Sequence, residues 1–149
     1  MIKSDPLAFL KNRKNLSGKI LIKVPSEMRY IRKVSSGVLS GLKHYNVDEG
    51  RLFDIRLCVE EAVRNAMVHG NHSDSALSVK IAYWVDNGVL SVEIEDEGSG
   101  FDHTNVDDPT LAGHILKNSG RGVYLIKKLM DKVEYNDKGN KVAMIKRLK

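Results

Sequence analysis

Two runs of alternating apolar and polar residues, Leu77 to Val85 and Val89 to Glu95, meet at Asp86-Asn87-Gly88, and no other feature constrains the fold of this chain as much. A period of two sends successive side chains to opposite faces of a strand, and Asn-Gly readily takes the positive φ of a tight hairpin turn. The runs are therefore antiparallel neighbours with one apolar face to cover.

The flanking sequence supplies the cover. Lys19 to Val24 is a β-branched and aliphatic run ended by Pro25, which has no N–H to offer a sheet. Ser26 then stands as an N-cap before Met28, Ile31, Val34, Val38 and Leu42, whose three- and four-residue steps predict a helix to about Lys43. A longer helix is predicted from Asp48, its N-cap, to about Val68, with Ile55, Cys58, Val59, Ala62, Ala66 and Met67 as its apolar stripe. Val123 to Met130 reads as a third helix, and Lys132 to Tyr135 with Lys141 to Lys146 as a closing hairpin about Asp137 to Asn140. Between Asp96 and Gly122 no period is sustained, and loops of that length inside compact domains are usually functional or disordered. The order β, α, α, β, β, loop, α, β, β is not that of a doubly wound parallel sheet. It predicts an α+β two-layer sandwich with a mainly antiparallel sheet, and the 149 residues suit a single domain with a core over about 19–148.

Several function classes fall away. Lys and Arg number 24 against 19 Asp and Glu, a net charge of +5 that is small for a dedicated nucleic-acid binder. The basic clusters at Lys11, Arg13, Lys14 and Lys19 and at Lys146, Arg147 and Lys149 carry no interleaved aromatics to stack bases, so no direct nucleic-acid role is expected. No apolar run approaches the ~18–20 residues of a membrane span, and Met1 to Lys14 lacks the apolar stretch of a secretory signal; a cytoplasmic protein is expected, with no membrane role. The single cysteine, Cys58, sits on an apolar stripe, where it packs rather than reacts. His69 and His72 lie three apart with no third ligand at a suggestive spacing, so polar histidines are favoured over a metal pair.

Three segments carry residues fit for chemistry. In Val59-Glu-Glu-Ala-Val-Arg-Asn-Ala-Met-Val-His69-Gly70, Glu61 and Asn65 are four apart and share one helix face. The carboxylate can orient or deprotonate a hydroxyl or water while the amide oxygen coordinates Mg²⁺; on an exposed face Glu61 can equally just pair with Arg64 or Asn65. Glu93-Ile-Glu-Asp96-Glu-Gly98-Ser-Gly100-Phe101 puts an acid at a strand end ahead of two glycines. Asp96 can accept a hydrogen bond from an exocyclic amine such as adenine's, and the same residues also make a good turn. Ser119-Gly-Arg-Gly122 precedes the third helix, where its N–H groups and Arg121 can meet an anion or simply cap the helix. There is no Walker A loop, because no Gly-Lys-Ser/Thr follows. There is no dinucleotide fingerprint either, because the third glycine is missing after Gly98-x-Gly100 and after Gly120-x-Gly122, and the eukaryotic-type kinase set is absent.

Together and in this order, the segments resemble the ATPase superfamily of gyrase, heat-shock chaperones, histidine kinases and MutL, the GHKL or Bergerat group. Within it they are similar to the small anti-sigma-factor serine/threonine protein kinases of bacteria. The resemblance runs from about Ile20 to Leu148 and rests on Glu-Glu-Ala-Val-Arg-Asn-Ala-Met-Val-His-Gly, Asp-Glu-Gly-Ser-Gly-Phe and Gly-Arg-Gly-Val-Tyr-Leu-Ile-Lys-Lys-Leu-Met-Asp. It implies a histidine kinase-like fold whose mixed, mainly antiparallel sheet is covered by helices on one face. It implies Glu61 as general base, Asn65 as Mg²⁺ ligand and Asp96 as reader of the adenine amine. Gly98 and Gly100 would shape the base pocket, Gly120 and Gly122 would close a lid over the phosphates, and Gly113 and Gly120 would bracket the loop that moves. Asn118 stands where some of these kinases carry an arginine, which leaves the γ-phosphate to Arg121 or Lys117 or makes transfer weak. The resemblance further implies ATP and Mg²⁺, a homodimer, a STAS-domain anti-anti-sigma protein as phosphate acceptor and a sigma factor as second partner. Other classes remain open at this point: a non-catalytic ATP-gated binding module, a bare ATPase, and a stress-signalling switch kinase that binds no sigma factor. No phosphoacceptor-histidine helix pair precedes Lys19, so a complete histidine kinase is not expected.

Overall fold

The computed structural model describes residues 18–100 and 118–149. Five strands, β1 (Ile20–Pro25), β2 (Ser78–Asp86), β3 (Val89–Glu95), β4 (Lys132–Tyr135) and β5 (Lys141–Arg147), form one sheet in the order β1-β2-β3-β5-β4. The β2–β3 hairpin turns where expected, with Asn87 at φ 51° and Gly88 at φ 74°. All four pairings are antiparallel, so the described sheet is not mixed: β4 and β5 form a hairpin whose second strand pairs with β3, and no parallel crossover arises. Helices α1 (Ile31–Ser40), α2 (Glu49–Asn65) and α3 (Asn118–Leu129) complete the fold.

Register decides which side chains meet the helices. Ile22 lies opposite Ile81, Val24 opposite Val79, Tyr83 opposite Val92 and Ile94 opposite Val142, and all of these are buried. They share one core with Val34 and Val38 of α1, Ile55, Cys58, Val59 and Val63 of α2, and Ile126 of α3. Burying such side chains against helices is the main stabilising term, at roughly 1.5–3 kcal/mol for each Val, Leu or Ile. The alternate strand positions, among them Leu21, Trp84, Glu93 and Ile145, remain partly or fully exposed on the second face. Lys146 is a charged exception on the inner face. Its Nζ donates to the Leu129 carbonyl at the end of α3 at 2.6 Å and stands 3.6 Å from Asp54 of α2, so a cation meets the negative end of a helix and ties β5 to both.

Two expectations about α1 are corrected. Met28–Tyr30 forms a 3₁₀ turn and α1 starts at Ile31 without a side-chain cap. Ser26 is therefore no N-cap: it is buried, its hydroxyl donating to Leu77 O at 2.9 Å and accepting from Asn71 Nδ2 at 2.8 Å. Met28 is 51% exposed, because a tighter turn at that point carries it off the apolar stripe. The α2 cap is as expected, with Asp48 accepting from Arg51 N at 2.8 Å; that N–H holds the carboxyl below its ordinary range. Burial pushes the Cys58 thiol up to about 12, which keeps it protonated and inert.

Candidate functional site

At its C-terminal end α2 widens into one turn of π-helix, Ala66–Gly70, a form that concentrates at functional sites. This turn makes one wall of a cleft of about 240 Å³. Asn65, Ala66 and Gly70 line one side, and Ile94, Asp96 and Val142 the other. The walls are mainly apolar, with few polar groups converging, which is the usual make-up of a small-molecule site. The volume falls below the roughly 300–1,000 Å³ usual for such sites and suits a ring system rather than a whole nucleotide.

Asp96 is the first residue past β3 and is only 9% exposed. Its Oδ1 accepts from Gly98 N at 2.8 Å. Burial pushes the Asp96 carboxyl above its usual range, and the Gly98 N–H draws it partly back. The wall is close-packed backbone on carboxylate. A Cβ on Gly98 would overlap the Gly70 carbonyl, and one on Gly70 would overlap the Asp96 carboxylate. Only glycine fits at either position, so this turn packs backbone against carboxylate beside the cleft. Gly100 closes the segment against the Lys138 carbonyl on the β4–β5 turn.

The third segment differs from expectation. α3 begins at Asn118 rather than Val123, so Ser119-Gly-Arg-Gly122 forms the start of the helix and not a loop before it. Packing overrides the low helix propensity of two glycines here. Gly122 is buried, and a Cβ on it would stand 2.7 Å from Glu61 Oε2 and 2.9 Å from Asn65 Nδ2. The missing side chain is what lets α3 close onto this acid and this amide. Glu61 and Asn65 thus share a face of α2 as their spacing predicts. The pairing of Glu61 with Arg64 is also present, Arg64 Nη1 donating to Glu61 Oε1 at 2.8 Å, and it leaves Oε2 toward Gly122. The amide oxygen of Asn65 is a hard donor of the kind Mg²⁺ accepts, since that ion takes one or two protein oxygens and completes its shell with water and phosphate.

Gly120 and Arg121 lie on α3, Arg121 exposed. Gly113, Lys117 and the loop expected to act as a lid fall outside the described residues. His69 lines the cleft, while His72 follows it with φ 53°. Among the described residues no group of three or more His, Cys, Asp or Glu could hold a metal. Two site residues have no signal in local sequence pattern. Asn71 and Asn140 hold the backbone beside Asp96, through bonds that span 26 and 44 positions, and each looks in sequence like an ordinary loop asparagine.

The family profile of the histidine kinase-like ATPase domain matches residues 24–146. Serine-protein kinase RsbW of Bacillus subtilis (strain 168) is 36% identical over 145 residues, covering 91% of this chain and 89% of that protein. The anti-sigma F factor of Clostridium perfringens (strain 13 / Type A) is 32% identical over 102 residues, covering 65% of this chain and 73% of that protein. A crystal structure of the RsbU and RsbW domains of Rv1364c from Mycobacterium tuberculosis is similar in fold, with a TM-score of 0.59 at 17% identity, over 87% of this chain and 32% of that one.

Proposed function

The chain belongs to the histidine kinase-like ATPase domain family, in the group that holds the RsbW serine-protein kinases, and from that premise we propose that it is an ATP-dependent protein serine kinase that doubles as an anti-sigma factor. One observation carries the reading: Asn65 and Asp96, from segments far apart in the chain, line one cleft, and Glu61 sits a helical turn back from Asn65 against the same Gly122 backbone. The adenine ring enters between Ala66 and the Ile94–Val142 wall, and Asp96 accepts its exocyclic N–H. Asn65 Oδ1 is the protein ligand of Mg²⁺, which when bound neutralises phosphate charge. The acceptor serine Oγ attacks the γ-phosphorus, the bond to the ADP oxygen breaks, and Glu61 takes the hydroxyl proton. Arg121, at the start of α3, is the residue for the charge that builds on the γ-phosphate.

The acceptor in this proposal is a STAS-domain anti-anti-sigma protein, and the second partner a sigma factor, all in the cytoplasm. Among the described residues no helix is long and apolar enough to cross a membrane. The proposal also makes the protein a homodimer, for which the sheet face away from the helices offers apolar surface at Leu21, Trp84 and Ile145. The test is transfer of labelled γ-phosphate from Mg-ATP to a panel of STAS-domain proteins. Label on one serine of one member is the expected result. No transfer beside confirmed ATP binding would move the reading to an ATP-gated binding module, which Asn118 in the third segment favours.

The contact at Gly122 gives a further expectation. Gly122→Ala supplies a better helix former, worth roughly 0.5–1 kcal/mol, but drives a methyl into Glu61 and Asn65. We expect a melting temperature within a few degrees of wild type and a fall of about tenfold or more in phosphotransfer, read by the same labelled assay. Full activity in the alanine protein would mean that Glu61 and Asn65 need not hold this geometry.

A further inference from the structure

We propose that Asn71 and Asn140 are positioning residues that clamp the turn at Asp96 from both sides and so set the preference of the cleft for a 6-aminopurine. The inference rests on Asp96 reading the base amine and says what makes that reading possible. Asn71 is fully buried, just past the π-turn. Its Nδ2 donates to Ser26 Oγ at 2.8 Å and to Ser78 O at 3.0 Å, its Oδ1 accepts from Glu97 N at 2.8 Å, and its own N–H donates to Ala66 O at 2.8 Å. Asn71 therefore joins the end of β1, the start of β2 and the residue after Asp96 through its side chain, and the π-turn through its backbone.

Asn140 grips the same turn from the opposite side. Its Nδ2 donates to Asp96 O at 3.0 Å, and its backbone carbonyl accepts from Asp96 N at 2.9 Å. Its Oδ1 accepts from Asn136 Nδ2 at 2.8 Å, while Asn136 Oδ1 takes the N–H groups of Gly139 at 2.8 Å and Asn140 at 3.0 Å. The hairpin turn is thus built around its own side chains and then fastened to Asp96. Between them the two asparagines fix the N–H and carbonyl of Asp96 and the N–H of Glu97, and Gly98 N fixes the carboxylate.

This matters because a buried carboxylate gains by swinging out to water. The clamped backbone, with Gly98 N on Oδ1, restricts that movement and keeps the carboxylate on the wall of the cleft, so recognition needs little reorganisation when the base arrives. Loosening either asparagine should cost the interaction with the amine and spare contacts made by the rest of the nucleotide.

The experiment measures affinities of the full chain for Mg-ATP and for purine riboside triphosphate, which lacks only the 6-amine. Wild type, Asn140→Ala and Asn71→Ala are compared by calorimetry after melting curves confirm folding. Wild type is expected to favour ATP by about tenfold or more, the usual scale for a hydrogen bond to a charged group. In Asn140→Ala, ATP affinity falls several-fold while the amine-free affinity holds, so the preference shrinks toward one. Asn71→Ala behaves alike if it folds; if it does not, Asn140→Ala on its partly exposed turn decides alone. Folded variants that keep the wild-type preference, or that lose affinity for both nucleotides equally, overturn the clamp. A wild-type protein with no preference sinks the Asp96 reading itself, and that result is visible before any substitution is made.

Discussion

Asp96→Ala is expected to lower ATP affinity about a hundredfold while the protein still folds. A hydrogen bond to a charged partner in a shielded site is worth roughly 1.5–3 kcal/mol, which is about ten- to over a hundredfold in affinity. Alanine also frees the Gly98 N–H that Asp96 holds at 2.8 Å, so the rest of the turn is less well placed for the base. Stability should move the other way. Burial raises the folded pKa of Asp96 above the ordinary 3.8. For an acid shifted in that direction the folded state binds the extra proton, so the relative stabilisation is present at low pH and is lost as pH rises from about 3.8 through the raised folded value. At neutral pH the ionised carboxylate is a net cost to the fold. Asp96→Asn keeps the shape and an oxygen for Gly98, and is expected to melt at the same or a higher temperature than wild type at pH 7. That advantage should vanish in acid. Wild-type ATP affinity in folded Asp96→Ala would defeat the adenine assignment, and a clear drop in melting temperature for Asp96→Asn would defeat the linkage argument. A group that recognises a ligand at the expense of stability is a common pattern at functional sites.

What could be read in the sequence was whatever depends on near neighbours. Asn87 and Gly88 make a hairpin because of their own φ preferences, and Asp48 caps α2 because its carboxylate reaches the N–H three residues on. The spacing of Glu61 and Asn65 puts them on one face whatever the rest of the chain does. Failures occurred where a distant partner decides. Ser26 has the chemistry of an N-cap, yet its hydroxyl bonds to Leu77 and Asn71, 51 and 45 positions away. Ser119 to Gly122 has the composition of a loop, yet the contact of Gly122 with α2 draws it into α3. Asn71 reaches Glu97 across 26 positions and Asn140 reaches Asp96 across 44, so no local window singles them out.

Glu61→Gln should separate binding from chemistry. The proposed base slot is lined by Asp96, Ala66, Ile94 and Val142, and Glu61 is not among the residues that line the cleft, so ATP affinity is expected to stay within about threefold of wild type. Glutamine keeps the volume beside Gly122 and an oxygen for Arg64, which preserves the approach of α3 to α2. Loss of the ion pair with Arg64 costs little, because partly exposed pairs are worth about 0–1 kcal/mol, and the melting temperature should hardly move. What glutamine cannot do is take the proton of an incoming serine hydroxyl. General-base assistance contributes roughly 10²–10⁴ in rate, and transfer to the acceptor is expected to fall by that factor. Two results would redirect the argument. A parallel loss of ATP affinity would make Glu61 part of the Mg²⁺ or nucleotide site, and undiminished transfer would place the base elsewhere. The predicted combination of intact fold, intact affinity and lost transfer marks a carboxylate that acts in the transfer step, because positioning by packing survives in glutamine and ground-state attraction to the metal would appear in the affinity.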